Sequence, residues 1–166
     1  QIVGVRTGFE DFDVLTGGLN GGDLAILAAR PSMGKTALAL NIARNHAIDF
    51  NGGVAFFSLE MTKRELVLRL LLGEAQVDNS RFRSGVLSDK DWRRLTQAAS
   101  VLEGARIMFD DSMAVTVGDL AAKARRLDRE QKLSLLVIDY IQLVSGRGDG
   151  ERRGRHGAKR GNRAHG

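Results

Sequence analysis

Along residues 1–146, short apolar runs alternate with longer amphipathic ones. That pattern predicts strand–helix–strand units and a mainly parallel sheet flanked by helices. Residues 24–28 read as a buried strand and lead into a helix over about 35–49. A second strand is expected over 54–58. The next helix begins after Thr62, where Thr62 and Glu65 form a T-x-x-E capping box ahead of Leu66, Val67, Leu70 and Leu71. Ser88 caps a helix over about 89–102, and 107–109 supplies a short strand. Thr116 precedes a helix running to about residue 130. The run 135–139 is the last predicted strand, and its uninterrupted apolar character suggests a central strand buried on both faces.

The pattern stops after Val144. Residues 147–166 hold seven basic residues (Arg147, Arg152, Arg153, Arg155, Lys159, Arg160 and Arg163) against Asp149 and Glu151. The preceding 146 residues balance 18 basic against 18 acidic side chains, so the whole net charge of +5 belongs to this tail. With no apolar side chain larger than alanine to bury, the tail is expected to be disordered and solvated. A basic tail of this kind can also touch nucleic acid through counterion release.

Composition removes several chemistries. The 166 residues include no cysteine, which excludes disulfides, thiolate zinc sites and cysteine nucleophiles. The three histidines, His46, His156 and His165, share no metal-ligand spacing. No run approaches the ~18 apolar residues of a membrane span, and the first residues lack a signal-peptide pattern.

The strongest chemical signal is Ala29-Arg30-Pro31-Ser32-Met33-Gly34-Lys35-Thr36, between a predicted strand and a predicted helix. It matches the phosphate-binding loop G-x-x-x-x-G-K-[ST] except that Ala29 replaces the first glycine. Gly34 lets the backbone approach phosphates, and the amides at the helix start form an anion nest. Lys35 is placed to reach the β- and γ-phosphates, and the Thr36 hydroxyl to help hold Mg²⁺. The candidate nucleotide contacts are therefore Arg30, Ser32, Met33, Gly34, Lys35, Thr36 and Ala37, with ATP as ligand.

Such a loop needs a carboxylate on a neighbouring strand to complete the metal site. Asp139, ending the apolar run 135–138, is the choice on strand context. Asp110 and Asp111 also follow an apolar run, but aspartate at a strand end commonly starts a turn, and the turn or cap reading is preferred for them. Glu60 directly follows the strand over 54–58. Its position suits a water-activating base at the ligand crevice and equally a charge favouring the next helix N-terminus. Arg125, Arg126 and Arg129 share a helix with Asp128 and Glu130 and read as a solvated face. Trp92 and the scattered phenylalanines show no basic–aromatic interleaving for single strands.

Taken together, Thr7-Gly8-Phe9, Asp13, Thr16-Gly17-Gly18-Leu19, Gly22-Asp23-Leu24, the phosphate loop, Ser58-Leu59-Glu60-Met61 and Ile138-Asp139-Tyr140-Ile141-Gln142-Leu143 resemble the bacterial replicative DNA helicases of the DnaB family. Alanine at position 29 is common in that family. The resemblance implies a RecA-like P-loop ATPase domain over 1–146, with the C-terminal strands of the domain missing. It further implies a cytoplasmic homo-hexamer that encircles single-stranded DNA and unwinds duplex with ATP and Mg²⁺, meeting primase and a helicase loader. It assigns phosphate binding to Ser32, Gly34, Lys35 and Thr36, metal binding to Thr36 and Asp139, and water activation to Glu60. The glycine–arginine tail does not resemble the family. A strand that the family places between the phosphate-loop strand and the Asp139 strand is not recognisable. On that ground Asp139 and Thr36 are expected not to be held at the separation Mg²⁺ coordination requires; with the family's trans arginine also unrecognisable, this chain is expected neither to hydrolyse ATP at a useful rate nor to unwind DNA. A nucleotide-binding fragment without motor activity and a RecA-like ATPase of the recombination or clock type are the alternatives. Ser58-Leu59-Glu60-Met61 speaks against the last.

Overall fold

The computed structural model describes residues 2–30, 32–112 and 116–139. Its centre is a parallel sheet of β1 (Gly53–Ser58), β2 (Ile107–Asp110) and β3 (Leu133–Asp139), in the order β2-β1-β3. Every residue of β1 is buried, because both edges are paired and both faces are covered. Val54 and Phe56 face Leu40, Ala43 and Ala47 of helix α2 (Lys35–Ile48) and Leu66 and Leu70 of α3 (Lys63–Ala75). On the opposite face, Ala55 and Phe57 meet Leu120 and Leu127 of α6 (Val117–Gln131). A third cluster joins α3 to α5 (Asp89–Glu103) through Leu72, Leu95 and Ala98.

The expected caps form. Thr62, Ser88 and Thr116 each complete a reciprocal capping box with the acidic residue three positions on. Arg44 ties α2 to α3 by a two-pronged contact with Glu74, Nε to Oε2 at 2.7 Å and Nη2 to Oε1 at 3.1 Å. At the other end of α2, His46 Nε2 lies 2.7 Å from Ser134 Oγ on β3. Gly52 lies against that imidazole: a Cβ there would stand 2.0 Å from Nε2.

Two short helices carry no periodic signal long enough to predict. The first, α1 (Glu10–Thr16), buries only Asp13, which accepts from the Thr7 hydroxyl at 2.7 Å and from the Thr7 and Gly8 amides. Burial alone would raise the Asp13 pKa, but those hydrogen bonds and the nearby Arg6 outweigh it and hold the carboxyl below its usual range. The second, α4 (Asn79–Ser84), is capped by Asp78.

Two expectations are corrected. Residues 24–28 do not form a buried strand: Leu24 and Ile26 are each 82% exposed, and the segment pairs with no strand among the described residues. An apolar run becomes a strand only where a partner edge receives its amides and carbonyls, and none of the described strands offers one there. Within the described sheet the Asp139 strand is not central either. β1 takes that place, while β3 is the outer strand of the described sheet, with Leu136 44% exposed. Expectations for 140–166, the disordered basic tail included, lie outside the described residues.

Candidate functional site

The parallel strands β1 and β3 end in register, Ser58 beside Asp139, so the residues after Ser58 leave from the carboxyl edge of the sheet, where Asp139 also stands. Helix α2 starts beneath that edge. Its cap residue Gly34 has φ 87°, a left-handed conformation suited to glycine, and Ser32 before it has φ 65°. No side chain caps α2 and no acidic residue occupies its first turn, which leaves the positive end of the helix dipole suited to an anion.

From this start two side chains reach the end of β3. Lys35 Nζ lies 2.7 Å from Asp139 Oδ1, and Thr36 Oγ1 donates to Asp139 Oδ2 at 2.5 Å. Asp139 is buried, whereas the Lys35 side chain remains 27% exposed. Thr36 and Asp139, expected to lack the strand that spaces them, are thus in direct hydrogen-bond contact. The packing of α2 on β1 and β3 brings them into contact without a paired strand over 24–28. Arg30, Ser32, Met33, Gly34 and Ala37 are all exposed around the same turn.

Glu60 is exposed two residues past β1 and has no hydrogen-bonded or ion-paired partner among the described residues. Its backbone is fixed nonetheless. The Leu59 amide donates to the Asp139 carbonyl at 2.7 Å. The buried Ser58 hydroxyl donates to the Met61 carbonyl at 2.7 Å and accepts from the Met61 amide at 3.1 Å. Beyond Met61, the Lys63 amide donates to Asp111 at 2.8 Å. Sequence reasoning did not name Ser58 for this work, whereas Asp111 takes the helix-capping role expected of it, since Lys63 is the first residue of α3. A hydroxyl at the end of a buried strand was the available signal.

Asp110 behaves as a turn residue. It accepts from the Ser112 amide at 2.9 Å and pairs with Lys123 at 2.6 Å. Burial would raise its pKa, but Lys123 and Ser112 prevail and lower it. Arg126 pairs only loosely with Glu130, at 3.7 Å on an exposed helix face.

The donor set suits Mg²⁺. A carboxylate and a hydroxyl are hard oxygen ligands, and Mg²⁺ typically takes one or two carboxylates and completes its shell with phosphate oxygens and water. Among the described residues no group of three or more His, Asp or Glu could cage a metal unaided. No helix of the described residues is long and apolar enough to cross a membrane.

Comparison with known proteins gives this geometry its context. The chain is 47% identical over 148 residues to the replicative DNA helicase DnaB of Geobacillus stearothermophilus, covering 89% of this chain and 33% of that protein. It is 49% identical over 148 residues to the corresponding protein of Nostoc sp., covering 88% of this chain and 17% of that one. The chain thus spans a third or less of the length of these curated relatives. A solved ATPase domain matches with TM-score 0.85 and 30% identity, covering 91% of this chain and 54% of that domain. The structure of a DnaB-like replicative helicase, described with its interactions with primase, matches with TM-score 0.83 and 32% identity, covering 87% of this chain and 36% of that one. The RecA-like fold follows from these two, and the recombination- or clock-type alternative is set aside. The model of the DnaB-like helicase C-terminal domain matches residues 4–159, farther than the 1–146 over which the motifs are recognisable. The chain belongs to the DnaB-like helicase C-terminal domain family.

Proposed function

We propose that this chain binds ATP with Mg²⁺ and serves as ATPase machinery of a replicative DNA helicase, in which hydrolysis drives duplex unwinding at the fork. The carrying observation is the meeting of Lys35, Thr36 and Asp139, more than a hundred residues apart in sequence, beside an uncapped helix N-terminus. In this reading the amides around Ser32, Gly34 and Thr36 hold phosphate oxygens, with Arg30, Met33 and Ala37 flanking them. Lys35 neutralises charge on the β- and γ-phosphates, and Thr36 and Asp139 hold Mg²⁺. The bound cation would neutralise charge developing on the transferred phosphoryl group. Glu60, at the same edge, orients and deprotonates the attacking water. The site belongs to a bacterial cytoplasmic homo-hexamer around single-stranded DNA, with primase and a helicase loader as partners.

Titration of the chain with a fluorescent ATP analogue, beside Lys35→Ala, tests the core of this reading. The variant should bind at least tenfold more weakly, a loss of about 1.4 kcal/mol. Equal affinities, with both proteins folded, would refute the phosphate-loop assignment.

A further inference from the structure

We propose that Asp111 is a positioning residue for Glu60, a role that rests on the reading of Glu60 above as the water-activating base. In the sheet, β1 lies between its two partners, with Ser58 beside Asp139 of β3 and Phe57 beside Asp110 of β2. The segment 59–63 therefore leaves β1 between the ends of two other strands. It is tied to both. The Leu59 amide donates to the Asp139 carbonyl at 2.7 Å, and the Lys63 amide donates to the Asp111 carboxylate at 2.8 Å. Glu60 stands between these two ties, exposed to solvent.

Starting helix α3 does not require the second tie. Thr62 and Glu65 already complete a capping box, the Thr62 amide donating to Glu65 at 2.9 Å and the Glu65 amide to the Thr62 hydroxyl at 3.3 Å. Lys63 is exposed, so water can satisfy its amide. A bond to a residue 48 positions away instead fixes where α3 begins relative to β2. The accepting end is itself braced. Asp110 accepts from the Ser112 amide at 2.9 Å and pairs with Lys123 of α6 at 2.6 Å, and Lys123 also contacts the Ser112 hydroxyl. Asp111 thus lies between two residues that α6 holds. Without its bond to Lys63, the turn closed by Ser58 keeps its internal hydrogen bonds but loses its outer support, and its tilt against the phosphate loop is no longer set. Displacing a catalytic group by about 1 Å can cost ~10²-fold in rate. Nucleotide held by the phosphate loop is affected far less.

Two substitutions remove the tie from opposite sides. Asp111→Ala deletes the acceptor. Lys63→Pro deletes the donor at the first helical position, where proline is favoured, and the extended Thr62 before it (φ −69°, ψ 149°) suits a following proline. Asp111→Asn keeps an oxygen acceptor. ATP hydrolysis is measured in a full-length protein carrying this domain, with each change alone and combined with Glu60→Gln. Lys63→Pro is read against Lys63→Ala, which keeps the amide. Asp111→Ala and Lys63→Pro should each lower kcat by about tenfold with KM within a few-fold, and Asp111→Asn should recover most of the rate. In the Glu60→Gln background, followed by single-turnover hydrolysis, neither should slow the reaction further, because the group they position is already gone. Should Asp111→Ala not fold, Lys63→Pro decides. Unchanged kcat in the folded variants, no recovery with asparagine, or an equal further loss in the Glu60→Gln background overturns the role of Asp111 and leaves Glu60 as the base. A Glu60→Gln protein with parental turnover refutes the reading of Glu60 itself, and the role of Asp111 with it.

Discussion

Ser58→Ala should loosen the turn that carries Glu60 while leaving the phosphate loop intact. The hydroxyl is 1% exposed and closes the Ser58-Leu59-Glu60-Met61 turn twice, donating to the Met61 carbonyl at 2.7 Å and accepting from the Met61 amide at 3.1 Å. Two intramolecular hydrogen bonds at about 1 kcal/mol each give a loss of about 2 kcal/mol. No larger penalty arises, because Met61 is only half-buried and water can reach the released groups. For a domain of this size the loss corresponds to a fall in melting temperature of about 4–8 °C. Thermal and urea unfolding measure that number, and amide exchange at Met61 reports whether the loss is local, since its protection should fall first. Nucleotide affinity should stay within a few-fold, because the lost bonds run between Ser58 and Met61, whereas Thr36 and Asp139 bond to each other. In a full-length protein carrying this domain, turnover should fall more than affinity, because Glu60 would no longer be held at one position. A melt within 1 °C of the parent, together with unchanged exchange at Met61, would refute the reasoning.

Glu60→Gln keeps the size of the side chain and removes its basicity. In a full-length protein carrying this domain, ATP affinity should stay within a few-fold while turnover falls by ~10²-fold or more, and surviving turnover would make Glu60 a helix-terminus charge. The buried His46 gives the stability an acid limb. Burial pushes its pKa below the usual histidine value, partly offset by the Arg6 backbone, so the unfolded chain binds the proton more readily than the folded one. Stability should therefore be full above about pH 6.5 and decline as pH falls below it. Urea midpoints between pH 7.5 and 5 should show that decline, and His46→Gln should flatten it. The lowered pKa of Asp13 adds a further loss only below its unfolded value of 3.8.

The elements with strong local signals were legible. Lys35–Ile48, Lys63–Ala75 and Asp89–Glu103 fall within a few residues of the helices that apolar spacing and the caps Thr62 and Ser88 predict. Asp110 as a turn residue was also legible, because Asp at a strand end followed by Ser112 has a local hydrogen-bonding reason to turn. Strand placement within the sheet was not. The runs ending at Ser58 and Asp139 are both apolar, and only pairing decides which is flanked on both sides. Helix α1 escaped because a single buried aspartate anchors it, and a lone polar residue gives no period. The Ser58 clamp escaped for a related reason. Its partner is backbone three residues away, and backbone carries no residue-specific signal.

The meeting of Thr36 with Asp139 bears on what positions a phosphate loop: the strand entering it or the helix leaving it. Here Leu24 and Ile26 stand exposed, whereas Leu40, Ala43 and Ala47 are buried against Val54 and Phe56 and their partly buried neighbours Leu135 and Val137. His46 Nε2 and Ser134 Oγ, 2.7 Å apart, fix the far end of the same helix. A rigid rod seated along β1 and β3 carries its first residues to the end of β3 whatever precedes them. Two substitutions distinguish the sources. Ala43→Leu inserts volume where the residue is 0% exposed, so α2 must move off the sheet, at a cost of about 1–3 kcal/mol. Lys35 and Thr36 move with the helix, and nucleotide affinity should fall severalfold even though position 43 lies two turns from the loop. Ile26→Ser alters a side chain 82% exposed and should change stability by no more than about 0.5 kcal/mol, with affinity unaltered. Paired unfolding and nucleotide titrations read both quantities. An Ile26→Ser protein that loses affinity as steeply as Ala43→Leu would show that the entering segment, not the helix, sets the loop.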